Sequence, residues 1–258
     1  MLFLGYNFQM EKGSVYLTLC LSLLLVLSGC ERSSDEDAPL PGSHAAMADV
    51  QVIADGWKPE LPYDPPEPGA YSLPIVSAAG GGAVLGTDGK QRELRDLMGD
   101  KIVLLTFIYT SCSEINGCPL ATAVFYKLKE RFKGQPELAD KIRLISVSFD
   151  PSHDTPGAMK LYGGSFSEGD PEWLFLTTSS EEVLAPILRQ YGQMVIQEFD
   201  EDGNFTGTMA HILRAFLIDR SRNIRQEYSV SFLHDQLIAI DIKTLLIEDG
   251  VLTAQAGS

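Results

Sequence analysis

Residues 102–119 read IVLLTFIYTSCSEINGCP, and this stretch decides the fold class. Ile102 to Tyr109 is almost continuously apolar, the pattern of a β-strand covered on both faces. It runs straight into a loop holding Cys112 and Cys118, after which Pro119 suits the first position of a helix. Leu120, Val124, Leu128 and Phe132 recur at four-residue spacing, while Lys127, Lys129, Glu130, Arg131 and Lys133 are expected to face solvent. A buried strand, a loop and an amphipathic helix open an α/β unit, in which chemistry is usually done at the carboxyl ends of the strands.

The alternation continues on the carboxyl side. The pattern predicts a second buried strand at Ile142 to Phe149 and a helix started by Asp154-Thr155-Pro156 that runs to about Tyr162. A third strand, Trp173 to Thr177, precedes a helix capped at Ser179 or Ser180 and reaching Tyr191. An extended stretch at Met194 to Phe199 leads to an Asp202-Gly203 turn and a flexible loop containing Gly207. Strands near Ile212 to Ile218 and Ile224 to Tyr228 follow, then a final helix from Ser231 to Glu248. Upstream, Gly80-Gly81-Gly82 and Asp88-Gly89 point to a β-hairpin or irregular turn. This order describes an α/β thioredoxin-like sandwich, a central mixed sheet flanked by helices with an added hairpin insertion.

At 258 residues, 45% hydrophobic and 21% charged, the chain has room for one full core and some non-globular length. A formal charge of −15 argues against nucleic acid or an anionic membrane surface as a partner of the body. Tyr16 to Gly29 is an apolar run of the length of a secretory h-region and ends in Leu27-Ser28-Gly29-Cys30, which resembles a bacterial lipobox. The expected organisation is a lipoprotein signal peptide over 1–29, a lipid-anchored acidic and proline-rich tether over 30–70, and a globular domain over 71–258. Eight of the fourteen prolines lie between Pro39 and Pro74, a composition that holds a tether semi-extended. Cleavage before Cys30 would discard Cys20 and place lipid on Cys30, so Cys112 and Cys118 become the sole remaining thiols on the periplasmic side of a bacterial membrane.

Two thiols in an exported domain can form a disulfide staple, a redox couple or a soft-metal site. Five residues separate Cys112 from Cys118, against two in ordinary thioredoxin-like redox motifs, and this spacing lets both sulfurs meet one ion or close on each other. Cys118, just ahead of Pro119, lies where a helix start favours thiolate, so a lowered thiol pKa is expected there. A metal needs a third ligand. Of the four histidines, His44 falls in the tether and His234 in the final helix, whereas His211 stands at the entry to a buried strand and is the best candidate. His153, in FDPSHDTP, stays in consideration.

The combination of FIYTSC, SEING and CP, followed by SVSFDPSHDTP, DPEWLFLT and a histidine ahead of RAFLIDRSRNIR, resembles the Sco/SenC family of copper-binding thioredoxin-fold proteins. The resemblance covers about Tyr71 to Ile247. It implies that Cys112, Cys118 and His211 bind copper, a ligand set that suits Cu(I) and, through the imidazole, Cu(II). Asp150 and Asp154 match the family's DPxxDTP segment; Asp150 is a candidate for orienting a ligand, and Asp154 is expected to shape the loop and cap the next helix. Met209 is a candidate additional sulfur contact. The common family pattern has three residues between the cysteines and a proline after the first, whereas this chain has five and Ser113. The implied role is a non-enzymatic metallochaperone that hands copper, or electrons, to a periplasm-facing cuproprotein, the copper A site of cytochrome c oxidase being the expected client. A thiol-disulfide oxidoreductase acting on a partner dithiol is the alternative, and a structural disulfide in a partner-binding domain is a third.

Overall fold

Strand β1 (Ser77–Ala78) is followed by a hairpin of β2 (Ala83–Gly86) and β3 (Gln91–Glu93), turned at Gly89 with φ of 74°, and by the short helix α1 (Leu94–Met98). The apolar run read from the sequence is β4 (Ile102–Ile108), all seven of its residues buried. Then come α2 (Cys118–Phe132), α3 (Pro136–Ala139), β5 (Ile142–Ser148), α4 (Pro156–Gly163), β6 (Glu172–Thr177) and α5 (Glu181–Gln190). A hairpin of β7 (Val195–Phe199) and β8 (Phe205–His211) precedes β9 (Arg214–Ile218), β10 (Asn223–Ser229) and α6 (Asp235–Glu248). The computed structural model describes residues 61–115 and 117–253; the expected signal peptide, Cys20, Cys30, His44 and the tether ahead of residue 61 lie outside the described residues.

Eight strands form one mixed sheet in the order β1-β10-β9-β4-β5-β6-β2-β3. β4, β5 and β6 are parallel, and β9 lies antiparallel to β4 on its other side. β7 and β8 pair only with each other, forming a hairpin apart from the main sheet. The thioredoxin-like α/β class read from the pattern is the observed architecture.

Burial on both faces explains why β4 and β5 read as unbroken apolar runs. Leu120, Val124, Leu128 and Phe132 of α2 are each fully buried, and each contributes roughly 1.5–3 kcal/mol by leaving water. α2 packs beside α6, and Arg131 of α2 is held by Asp235 of α6 at 2.5 Å. These elements fix the start of α2 at the carboxyl ends of β4 and β5.

Four local expectations are corrected. Lys129 does not face solvent: it is buried, and its ammonium donates to the carbonyls of Gly169 and Pro171, each at 2.6 Å. The cap of α4 is Thr155, whose hydroxyl accepts from Ala158 N–H at 3.3 Å, and Asp154 is engaged elsewhere. The segment expected as a flexible loop around Gly207 is β8, so His211 closes one strand rather than opening the next. The final helix begins at Asp235 after a 3-10 turn at Val230–Phe232, with His234 as its N-cap residue instead of a member of the helix. Near the expected start of the domain, Gly69 N–H donates to the Thr244 hydroxyl of α6 at 3.1 Å.

Candidate metal centre

Three elements converge at the carboxyl end of β4. The strand delivers Tyr109, the loop after it carries Cys112, and Cys118 is the first residue of α2 behind the N-cap Gly117. Both cysteines are free thiols; Cys112 is half-buried and Cys118 is 1% exposed. The main-chain N–H of Tyr109 points at Cys118 Sγ at 3.4 Å.

The two thiols are electrostatically unequal, and not in the sense expected from sequence. Burial pushes Cys118 well above the ordinary thiol range. A helix terminus is worth about 0.3–1 kcal/mol to a nearby charge, rarely about 2, too little to offset removal of a thiolate from water. The helix start acts on its neighbour instead. Cys112 is lowered to about 6, first by a hydrogen bond from the Cys118 thiol, with main-chain N–H groups of Cys118 and Glu114 and the Tyr109 phenol adding against the cost of burial. Cys112 is therefore the thiolate and Cys118 its hydrogen-bond donor.

His211 arrives from the hairpin, held by β7 through the Val195–His211 pair. Its Nε2 lies 3.8 Å from Cys118 Sγ. Its Nδ1 is 3.0 Å from the Met209 carbonyl oxygen, which only accepts, so Nδ1 carries the hydrogen and Nε2 keeps a lone pair facing the sulfur. The ring edges are walled by Phe149, at 4.8 Å between centroids, and Tyr109, at 5.9 Å and 85°. Met209 offers its carbonyl to His211, and the buried residue lines both the groove between the hairpin and α5 and the groove beside His211.

The donor set fits a soft or borderline metal: a thiolate, a second thiol and an imidazole of fixed tautomer. With metal–sulfur and metal–nitrogen bonds of about 2.3 and 2.0 Å, ligands subtending about 120° stand roughly 3.7–3.8 Å apart. The Cys118–His211 separation matches that span. Among the described residues no three Cys, His, Asp or Glu side chains already close on one point.

The acidic candidates divide. Asp150 is buried, and both its carboxylate oxygens lie 2.9 Å from His153 Nδ1, with the His153 ring stacked on Phe205 of β8 at 6.1 Å. It thus meets His153 and, through it, the hairpin that carries His211. Asp154 meets the cysteine loop itself, accepting from Thr110 N–H at 3.0 Å, from the Thr110 hydroxyl, and from Ser148 Oγ at 2.5 Å. Sequence reasoning missed Tyr109, Thr110 and Phe149, although all three lie inside the motifs that carry the cysteines and the acids. It also missed Thr122, whose hydroxyl donates to the Cys118 carbonyl at 3.0 Å and meets the buried Tyr162 phenol at 2.7 Å. A groove of about 460 Å³ opens beside the centre, lined by Tyr109, Glu114, Glu198, Thr208 and His211 among others. Among the described residues no helix is long and apolar enough to cross a membrane.

A family model described as SCO1/SenC matches residues 83–246. The chain is 34% identical over 116 residues to a SCO1 protein homolog of Bacillus subtilis strain 168, a match over 45% of this chain and 57% of that relative. Among solved structures it is similar to a SCO1/SenC family lipoprotein from Bacillus anthracis str. Ames, at 26% identity and a TM-score of 0.54, over 66% of this chain and 95% of the other. It is also similar to Bradyrhizobium japonicum ScoI with copper bound, at 25% identity and a TM-score of 0.50, over 64% and 98% of the two chains.

Proposed function

Because the chain belongs to the SCO1/SenC family, we propose that it binds copper through Cys112, Cys118 and His211 and passes it to a periplasm-facing cuproprotein, the copper A site of cytochrome c oxidase being the client the family motifs favour. The single observation that carries the reading is the 3.8 Å approach of His211 Nε2 to Cys118 Sγ, with Nδ1 already committed to the Met209 carbonyl. Copper is cargo in this scheme. Cys112, half-exposed and ionised near neutrality, is the residue an incoming ion meets first. Cys118 gives up its proton as it becomes a ligand, so copper affinity rises with pH and binding releases a proton to solvent. The copper-bound Bradyrhizobium relative supports the choice of metal. Lipid on Cys30 and a tether over residues 30–70 would hold the domain, 71–258, near the membrane, a reading supported by the lipoprotein nature of the Bacillus anthracis relative.

The unequal thiols favour a second use of the same pair. A half-exposed thiolate beside a buried thiol is the arrangement of an attacking and a resolving cysteine. Cys112 would attack a partner disulfide to form a mixed disulfide. Cys118, on losing its proton, would then displace the partner, leaving Cys112–Cys118 oxidised and the partner reduced by two electrons.

Copper titration of the reduced protein tests the primary reading. One-to-one binding is expected, lost in Cys112→Ser and Cys118→Ser and weakened in His211→Ala. Absence of one-to-one binding, or binding unaffected by His211→Ala, overturns it. Reduction of a model disulfide without any copper binding would leave the second reading alone.

A further inference from the structure

Among the described residues, none that lines the groove beside His211 is a lysine or arginine. No Lys or Arg occurs in Tyr109–Tyr126, which holds the cysteine loop, in Gln193–Leu213, which holds the hairpin, or in Ser229–Ile242. Acids occupy the same surface. Glu114 and Glu198 line the groove that His211 lines, and four acids stand in the five residues from Glu198 to Asp202 at the hairpin turn. The bordering cations are already engaged: Arg214 lies 3.8 Å from Glu227, and His153 is held by Asp150.

Exposed apolar side chains stand in the same three segments. Ile115 of the cysteine loop, Ile212 beside His211 and Phe232 of the 3-10 turn are exposed at 59%, 58% and 55%. Ile212 lines the open groove beside His211, while Ile115 follows the lining residue Glu114 and Phe232 belongs to the same 3-10 turn as the lining residue Val230. A groove lined by Ile212, Val230, Glu114 and Glu198, with no lysine or arginine in its lining, is complementary to one kind of protein surface.

We infer that this face docks a protein whose own surface presents apolar residues ringed by lysine and arginine. The inference rests on the reading above for what the partner receives, and it adds the chemistry by which the partner is chosen. Charge excludes the other occupants. A second copy of this chain would set the same acidic face against itself, and an anionic bilayer would be repelled. The sequence of residues 31–37, with Glu31, Asp35, Glu36 and Asp37 against a single Arg32, lacks the positive charge that such an occupant needs.

The test uses three fluorescent peptides free of cysteine, each with the same apolar centre, flanked by lysine, serine or glutamate, and follows anisotropy on the copper-free full chain. The lysine-flanked peptide is expected to bind about tenfold more tightly than the glutamate-flanked one at low salt. The preference should fade at 1 M salt, where the screening length is about 3 Å. A protein of charge −15 attracts cations generally, so location is read by variants. Glu198→Lys/Glu201→Lys/Asp202→Lys should abolish or invert the preference, whereas Asp64→Lys/Glu67→Lys/Glu137→Lys, on the side of α3 and α6, should leave it. Asp200 is kept because its carboxylate holds the turn through Asp202 N–H and Asn204 N–H. Equal affinity for the lysine and glutamate peptides, or a preference untouched by the hairpin variant, overturns the inference. Because neither copper nor a peptide thiol is present, failure here is distinct from failure of copper binding in the titration above.

Discussion

Asp154 holds Thr110 at two points, accepting from its main-chain N–H at 3.0 Å and from its hydroxyl, and so ties the loop after β5 to the loop that carries Cys112. Ser148 donates to the same carboxylate at 2.5 Å, and the acid is 1% exposed. Asp154→Ala strands three donors, and hydrogen bonds to a buried charge are worth about 1.5–3 kcal/mol each, so a loss of about 3 kcal/mol is expected after relaxation. Thr155→Ala, which removes only the α4 cap, should cost about 1 kcal/mol. Denaturant unfolding of the two variants checks the order. Copper affinity should also drop at least about tenfold in Asp154→Ala, because the loop holding one ligand loses its anchor. Equal destabilisation by the two variants would remove the role given to Asp154.

The inequality of the thiols predicts their reactivity. In the reduced copper-free protein, alkylation at neutral pH should modify Cys112, with a rate that follows a midpoint of about 6, and should spare Cys118. Tyr109→Phe removes the phenol from Cys112 and should move that midpoint upward, slowing alkylation at pH 6 about threefold. Mass mapping of the labelled cysteine at several pH values is the check. Labelling of Cys118 first would reverse the assignment of thiolate and donor.

What the sequence made legible, and what it did not, follows from how far each interaction reaches. β4 and α2 are readable because burial imposes an apolar run and a four-residue period on the residues themselves. β8 is not, since FTGTMAH buries only Met209 and leaves Thr206, Gly207, Thr208 and Ala210 exposed, so no alternation marks it. The buried state of Lys129 is written some 40 residues away, in the carbonyls of Gly169 and Pro171. Asp154-Thr155-Pro156 announces a helix start correctly, but either of its first two residues can cap. Only the positions of Thr110 and Ser148 decide that Thr155 does. The thiol pKa values fail for the same reason: a helix start is visible in Cys118-Pro119, whereas the burial that overrides it is a property of the packed domain.

His153 should report on the link between the loop after β5 and the hairpin. Its hydrogen bond to Asp150, and then the charge of that carboxylate, raise its pKa above the ordinary 6.5. The protonated imidazole is thus favoured by folding: its contribution is fully present below the unfolded value and is lost as pH rises through the raised folded value. At 64% side-chain exposure the pair is screened by solvent, so the stability change should be small and should shrink further with salt. NMR titration should place His153 above 6.5 and return it towards that value in Asp150→Asn. An unchanged titration in the variant would separate Asp150 from His153 and leave ring contacts, His153 on Phe205 and Phe149 on His211, to join the loop after β5 to the hairpin.

Lys129 allows stability to be separated from the metal centre. Its ammonium bridges Gly169 and Pro171 from within α2, while the centre lies at the other end of that helix. Lys129→Met preserves the apolar stem and removes the donor, leaving a buried carbonyl without its charged partner; a loss of about 2–3 kcal/mol is expected. For a domain of this size that corresponds to a fall of roughly 4–12 °C in Tm. One-to-one copper binding and the reactivity of Cys112 should persist, because neither thiol nor His211 touches this bridge. Calorimetric melting with parallel copper titration checks both halves. A variant that melts as the wild type does would show that the two carbonyls find water in place of the ammonium, and one that loses copper while still folded would mean that the amino end of α2 is positioned from its carboxyl half.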